Sequence, residues 1–298
     1  MRTEVTFGLS TPYMEQIVAT LTNVLILSSM YILVALGFAF LFNILGIINL
    51  AHGAIYMVGG YFGLALIRLL GLNPWAALVL TGLGIATLGL FLEMFCFRPF
   101  SGDFNRTVMI CVVITVVLQT AVNIIAGTQI LSLPPFAEGV FKIGPVSVSY
   151  ERVVTFALGI ILLVATIWFV HRTKWGQQMQ AISQNREGAL LQGINVHYIS
   201  ALACFIGCGL AAIAGCLMGA YLGLGPFMGD FMLVKVLMIV ILAGIGTISG
   251  IFIAGLILGA LDSILPLFIT GAASDASVIA IVVVLLLIRP QGFFGHEA

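Results

Sequence analysis

The stretch QIVATLTNVLILSSMYILVALGFAFLFNILGIINLAHGAIYMVGGYFGLALI, residues 16–67, contains no Asp, Glu, Lys or Arg. A helix rises ~1.5 Å per residue and a bilayer core is ~30 Å thick, so about 20 apolar residues make one crossing. This stretch is too long for one crossing and suits two. It reads as a helix over about Ile17–Phe42, an interruption at Asn43 to Asn49, and a second helix to about Leu70.

Composition extends that reading to the whole chain. Charged residues make up 7%, against roughly 25% in a soluble domain. Apolar residues reach 61%, and the mean hydropathy is +1.22. Too few charges remain to cover a soluble surface. The net charge is zero and no Lys/Arg-rich run occurs, which argues against nucleic acid, because phosphate binding needs clustered cations. Glycine, at 34 of 298 residues, fits close helix packing where small residues let backbones approach. Glu4 and Glu15 precede an apolar run far longer than the h-region of a signal peptide, so the N-terminus is expected to stay on the mature protein.

Breakers divide the remainder. Asn73-Pro74 makes a turn, a third span runs to Phe97, and Arg98 to Arg106 forms a polar loop before a fourth span to about Ala126. Residues 127–150 hold Pro134-Pro135, Pro145, Glu138 and Lys142, and Val146-Val148-Tyr150 alternates as a short strand does; this is expected to be a folded external loop. A fifth span, about Arg152–Val170, leads into the polar segment His171 to Asn195. A sixth, about Tyr198–Leu222, ends at a Gly225-Pro226 turn. The run Val236–Leu261 is punctuated by Gly244, Gly246, Gly250 and Gly255, and reads as a broken or re-entrant helix. The last helix, about Ser277–Ile288, stops at Arg289-Pro290. The expectation is an all-α integral membrane protein, a polytopic bundle of eight or nine spans with broken or re-entrant Gly-rich segments.

Charge does not settle the orientation. With loops 98–106 and 171–187 and the C-terminal tail inside, the cytoplasm receives Arg98, Arg106, Arg172, Lys174, Arg186 and Arg289. The other side receives Arg2, Arg68, Lys142, Arg152 and Lys235, six against five.

Little catalytic chemistry is legible. No phosphate-cradling G-x-x-x-x-G-K-[ST] occurs, so the chain does not itself hydrolyse ATP, and no H-E-x-x-H or Cys/His set marks a metal. Ser249 in Gly246-Thr247-Ile248-Ser249-Gly250 invites an intramembrane hydrolase reading, but the spacing is not G-x-S-x-G and no acid–base partner is evident. Cys204, Cys208 and Cys216 share a helix face among Gly207, Gly209, Ala211, Ala212 and Gly215, which favours packing over a redox or metal site. Catalytic, cofactor and metal sites are all expected to be absent, as is a structural disulfide.

Three polar features remain. Asn49, His52 and Tyr56 fall at helical spacing and form a polar stripe, read either as helix-to-helix bonding or as the lining of a path. Lys235 and Asp262 lie against apolar runs. Lys can snorkel but Asp cannot, and a helix end near Pro266 is the cheaper way to accommodate Asp262. Glu93 and Arg98, five apart near a span end, read as interfacial anchors. In the polar segment, Met179, Ile182, Ala189 and Leu190 make an apolar stripe, which describes a short amphipathic helix outside the membrane. Only Arg186 gives it charge to hold a lipid surface, so a protein groove is the better partner.

With these residues in view, the chain resembles the permease subunits of branched-chain amino-acid ABC importers, the shorter of the two permease types. Gly46-Ile47-Ile48-Asn49-Leu50-Ala51-His52-Gly53, continuing through Tyr56 to Gly60, resembles that family's first signature. Ala189-Leu190-Leu191-Gln192-Gly193-Ile194-Asn195 resembles its cytoplasmic loop, Leu242 to Gly250 with Gly255 to Gly259 its Gly-rich signature, and Arg289-Pro290-Gln291-Gly292 its tail. Glu187-Gly188-Ala189-x-x-x-Gly193 is similar to the E-A-A-x-x-x-G loop that meets the ATPases, departing at Gly188 and lacking the I-x-L-P that usually follows.

The resemblance implies a single transmembrane permease domain over 1–298, with 171–196 as a cytoplasmic coupling loop, in a bacterial inner membrane. It implies as partners a second permease chain, two ATPase subunits and an external solute-binding protein. Ile182, Arg186, Glu187, Ala189, Leu190 and Gly193 would couple to the ATPases. Asn43, Asn49, His52, Tyr56, Gly244, Gly246 and Ser249 would border the path, with the breaks at Asn43–Asn49 and Gly244–Gly250 in corresponding positions of two halves. The solute is expected to be a branched-chain or other neutral amino acid. Urea, short amides, small organic acids and a stand-alone secondary transporter are the alternatives.

Overall fold

The computed structural model describes residues 11–100, 102–143, 146–244 and 247–294. Gly246, expected on the path, lies outside them. Among the described residues, helices dominate. They are α1 (Thr11–Leu45), α2 (His52–Leu70), α3 (Pro74–Leu92), α4 (Phe104–Ala126), α5 (Tyr150–Arg172), α6 (Lys174–Gln184), α7 (Arg186–Leu191), α8 (Val196–Tyr221), α9 (Met228–Ala243), α10 (Ile248–Ile264) and α11 (Ala272–Ile288). Seven are long and apolar enough to cross a membrane, while α9 and α11 are shorter. The eight or nine expected spans thus divide into full crossings and two short elements.

The first break is real but later than expected, because α1 continues through Asn43 to Leu45 before the chain turns over residues 46–51. α2 then starts beside the middle of α1. His52 Nε2 lies 3.2 Å from the Val34 carbonyl oxygen, a level about 16 Å short of the end of α1 at ~1.5 Å per residue. The chain has therefore dipped back before α2 begins. α9 starts at the same place: side-chain atoms built on Gly53 or Gly229 would overlap the other's backbone carbonyl. Only glycine at both positions lets the first turns of α2 and α9 touch. In space, the first break thus meets the Gly225–Phe227 turn where α9 begins.

The Gly-rich run is broken, as expected. On one straight rod Lys235 and Asp262 would sit about 40 Å apart, yet they form an ion pair. α9 and α10 therefore pack against each other as an antiparallel hairpin. Thr247 Oγ1 donates to the carbonyls of Ala243 (3.0 Å) and Gly244 (2.8 Å), satisfying acceptors that the helix end leaves open. The tail closes the same reversal, with Phe293 N donating to the Leu242 oxygen (2.8 Å) and Gly292 packed on Gly244.

The core is the contact of α1, α2, α3, α8 and α10. Cys204 and Cys208 pack on Gly89, and Cys216 on Gly63, so these thiols occupy small-residue seams. Beyond α4, strands β1 (Val140–Ile143) and β2 (Val146–Ser149) pair antiparallel, Val140 opposite Ser149. The alternation at Val146–Val148 is therefore a strand, and its partner is the preceding segment. This hairpin loop is pinned to the bundle: Glu151 Oε2 accepts from Phe136 N (2.6 Å), Trp75 Nε1 donates to the Phe136 oxygen (3.1 Å), and Leu131 bonds Leu224 in both directions.

Candidate translocation path and coupling face

The expected path residues separate into two groups. Asn49 Oδ1 accepts from Ala51 N (3.0 Å) and shapes the turn into α2. His52 lies edge-on to Phe38, ring centroids 5.7 Å apart. Its Nε2 must carry the proton, since the Val34 carbonyl can only accept. Tyr56 sits against α8, its backbone oxygen over Gly215. Asn49 and His52 are 0% exposed and Tyr56 is 3% exposed. In this conformation the three sit inside the wall rather than on its surface, and Asn49 precedes the helix instead of continuing its stripe. Asn49 Nδ2 and His52 Nδ1 have no hydrogen-bond partner among the described residues.

Asn43 and Ser249 behave differently. Both line a cavity of about 620 Å³ formed by α1, α5, α6 and α10, together with Gln180, Ser183, Gln184 and His171. Leu36 and Phe40 on α1 and Phe252 on α10 add apolar lining beside them. Gly244 is buried at the nearby reversal. Two expected path residues therefore meet the polar face of the expected coupling segment in one chamber.

The coupling segment is two helices, not one. Asn185 leaves the helical conformation, and its Oδ1 accepts from Gly188 N (2.8 Å), capping α7. Met179, Ile182 and Ala189 point into the body, while Arg186, Glu187, Leu190 and Gly193 are exposed. Ile182 and Ala189, expected at the ATPase contact, instead fasten the two helices to the bundle. Leu191, absent from the expected set, is 90% exposed beside Leu190 at 54%. Gly193, at φ 79°, turns the chain so that Ile194 N can bond the Ala189 oxygen (3.1 Å).

Glu93 and Arg98 form a two-pronged ion pair, with Nη2 to Oε2 at 2.7 Å. Glu93 is 2% exposed, so the pair is tucked into the bundle just past the end of α3. Asp262 does lie near a helix end, but what holds it is Lys235 and the Tyr31 hydroxyl, which donates at 2.6 Å. Both ionisable residues stood out in the sequence, whereas their pairing needed the α9–α10 hairpin.

Residues 20–288 match the model of the branched-chain amino acid transport system permease component family. The chain belongs to this family. It is 28% identical to the high-affinity branched-chain amino acid transport system permease protein LivH of Escherichia coli, over 92% of this chain and 94% of that protein. It is equally 28% identical to the permease protein BraD of Pseudomonas aeruginosa, over 95% and 96%. Among solved structures, PsaBC from Streptococcus pneumoniae in complex with Fab shares the fold, with a TM-score of 0.50, 16% identity and 90% of each chain covered. This family member is a multi-pass membrane permease subunit, and the matched residues run from α1 to the end of α11.

Proposed function

We propose that this permease is one of two in an ATP-driven importer of a branched-chain or other neutral amino acid in a bacterial inner membrane. Two ATPase subunits grip α7 on the cytoplasmic face, and a solute-binding protein docks at the β1–β2 end. The observation that carries the reading is α7 itself. It exposes Leu190 and Leu191 beside Arg186 and Glu187, while Ile182 and Ala189 root it in the bundle. An exposed apolar pair on a short rooted helix suits a protein groove, and rooting lets a push on α7 move the body. That push reaches the chamber holding Asn43 and Ser249, since α6 forms one of its walls. The amino-acid solute rests on the names of the relatives. Asn49, His52 and Tyr56 would border the path only in another conformation.

Purification from the native membrane tests the assembly. Co-elution with an ATPase and ATP-dependent amino-acid uptake in proteoliposomes support the importer. Uptake by this chain alone, driven by an ion gradient, would overturn it in favour of a secondary transporter.

A further inference from the structure

Asp230 carries an exposed carboxylate. It stands on the first turn of α9, next to Gly229, which touches Gly53 at the start of α2. Gln119 of α4 reaches it, Nε2 lying 2.7 Å from both Oδ1 and Oδ2. Gln119 is about 10 Å along the helix from the nearer end of α4, and one turn before it Thr115 Oγ1 bonds the Leu50 oxygen of the dipping segment (3.3 Å). The pair therefore lies inside the hydrocarbon layer. No cation pairs with Asp230 among the described residues, whereas Glu93 and Asp262 each hold one.

A charged group facing lipid is expensive, so intramembrane carboxylates face water or a partner. α4 and α9 both lean on α2, and Gln119 meets Asp230 beside the first turn of α2, an arrangement that we read as a groove between the two helices. Val116 on α4 and Val234 on α9 are exposed along the same groove, at 55% and 46%. Gln119 fixes the carboxylate from one side and leaves lone pairs on both oxygens free toward the opening.

We propose that this groove is the chain's share of the translocation path, and that Asp230 receives the ammonium group of the passing solute while Val116 and Val234 accommodate its apolar side chain. The assignment rests on the amino-acid importer reading, and it places the polar contact of the path on residues that the signatures do not contain. An ammonium over a carboxylate restores charge balance at the depth where it is most costly to lack. No covalent step is involved.

The experiment uses the whole importer in proteoliposomes. Asp230→Asn should lower leucine uptake about tenfold and Asp230→Glu should retain most of it, with ATP hydrolysis preserved in both. In a second arm, Val234→Cys is placed in a chain stripped of Cys96, Cys111, Cys204, Cys208 and Cys216. A cationic thiosulfonate should label it about tenfold faster than an anionic one, and Asp230→Asn should erase the preference. Where Asp230→Asn does not assemble, the preference with Asp230 intact should collapse between about 10 mM and about 1 M salt. Wild-type uptake by Asp230→Asn, inertness of the cysteine in every state, or a salt-independent preference would overturn the proposal. A wild-type importer that moves no neutral amino acid defeats the functional reading instead, and the labelling arm still decides whether the groove is an aqueous, cation-attracting passage.

Discussion

α1 and α4 are equally apolar, yet 83% of the apolar stretch of α1 is buried inside the chain and only 11% of that of α4. Hydropathy therefore says that a helix crosses the membrane, not what it faces. The difference lies in small and hydrogen-bonding residues. α1 carries Asn23, which accepts from Tyr221 at 2.6 Å, Tyr31 on Asp262, and Gly37 directly against Gly207. α4 turns Val112, Val113, Val117, Ile124 and Ile125 outward. Lipid is as apolar as any core, so close packing and hydrogen bonds decide which helix is enclosed.

The sharpest break of this contrast is at the ion pair that α1 supports. Lys235→Met leaves the Asp262 carboxylate buried with only the Tyr31 hydroxyl, and should cost about 3–5 kcal/mol. The double variant Lys235→Met/Asp262→Leu should recover most of it. Thermal unfolding in detergent reads both, and equal losses in the single and double variants would show that the pair is not what holds α9 to α10. Next comes Gly37→Leu, whose new Cβ would lie 2.7 Å from the Gly207 carbonyl oxygen. Overpacking of about 1–3 kcal/mol is expected, and an unchanged melting temperature would mean that α1 and α8 separate freely.

A third prediction moves from the enclosed side to the cytoplasmic face. Gly193→Trp forces a bulky residue onto a positive φ and disturbs the turn that presents α7. Transport should fall several-fold while ATP hydrolysis persists and the melting temperature shifts by less than for Gly37→Leu. Normal transport by assembled Gly193→Trp complexes would remove α7 from the coupling role. The smallest effect belongs to α4, where Val117→Leu should change stability by no more than about 0.5 kcal/mol. If it dissociates the permease pair instead, that face of α4 meets protein rather than lipid.

Cysteines placed at Asn49, His52 and Tyr56 sharpen the comparison further, since they should resist aqueous thiol reagents in the conformation described here, whereas one at Asn43 should react. The polar spacing of Asn49, His52 and Tyr56 was legible, but spacing cannot distinguish a lining residue from a bonded one. Met179 and Ile182 were legible as an apolar stripe, and they are buried. Leu190 belonged to the same stripe and is exposed, because Asn185 breaks the helix and rotates the second piece.

The amino-acid sequence by itself determined that this chain crosses the membrane many times, that the crossings break near Asn49 and Gly244, and which family it resembles. Those features are local: runs of apolar residues, glycines and short ordered signatures. Only the tertiary structure decided that α2 and α9 begin against each other, that Lys235 belongs to Asp262, and that Asp230 stands exposed beside Gln119. These pairings join residues far apart in the chain, and they depend on where two helices start within the thickness of the membrane, which no hydropathy pattern records.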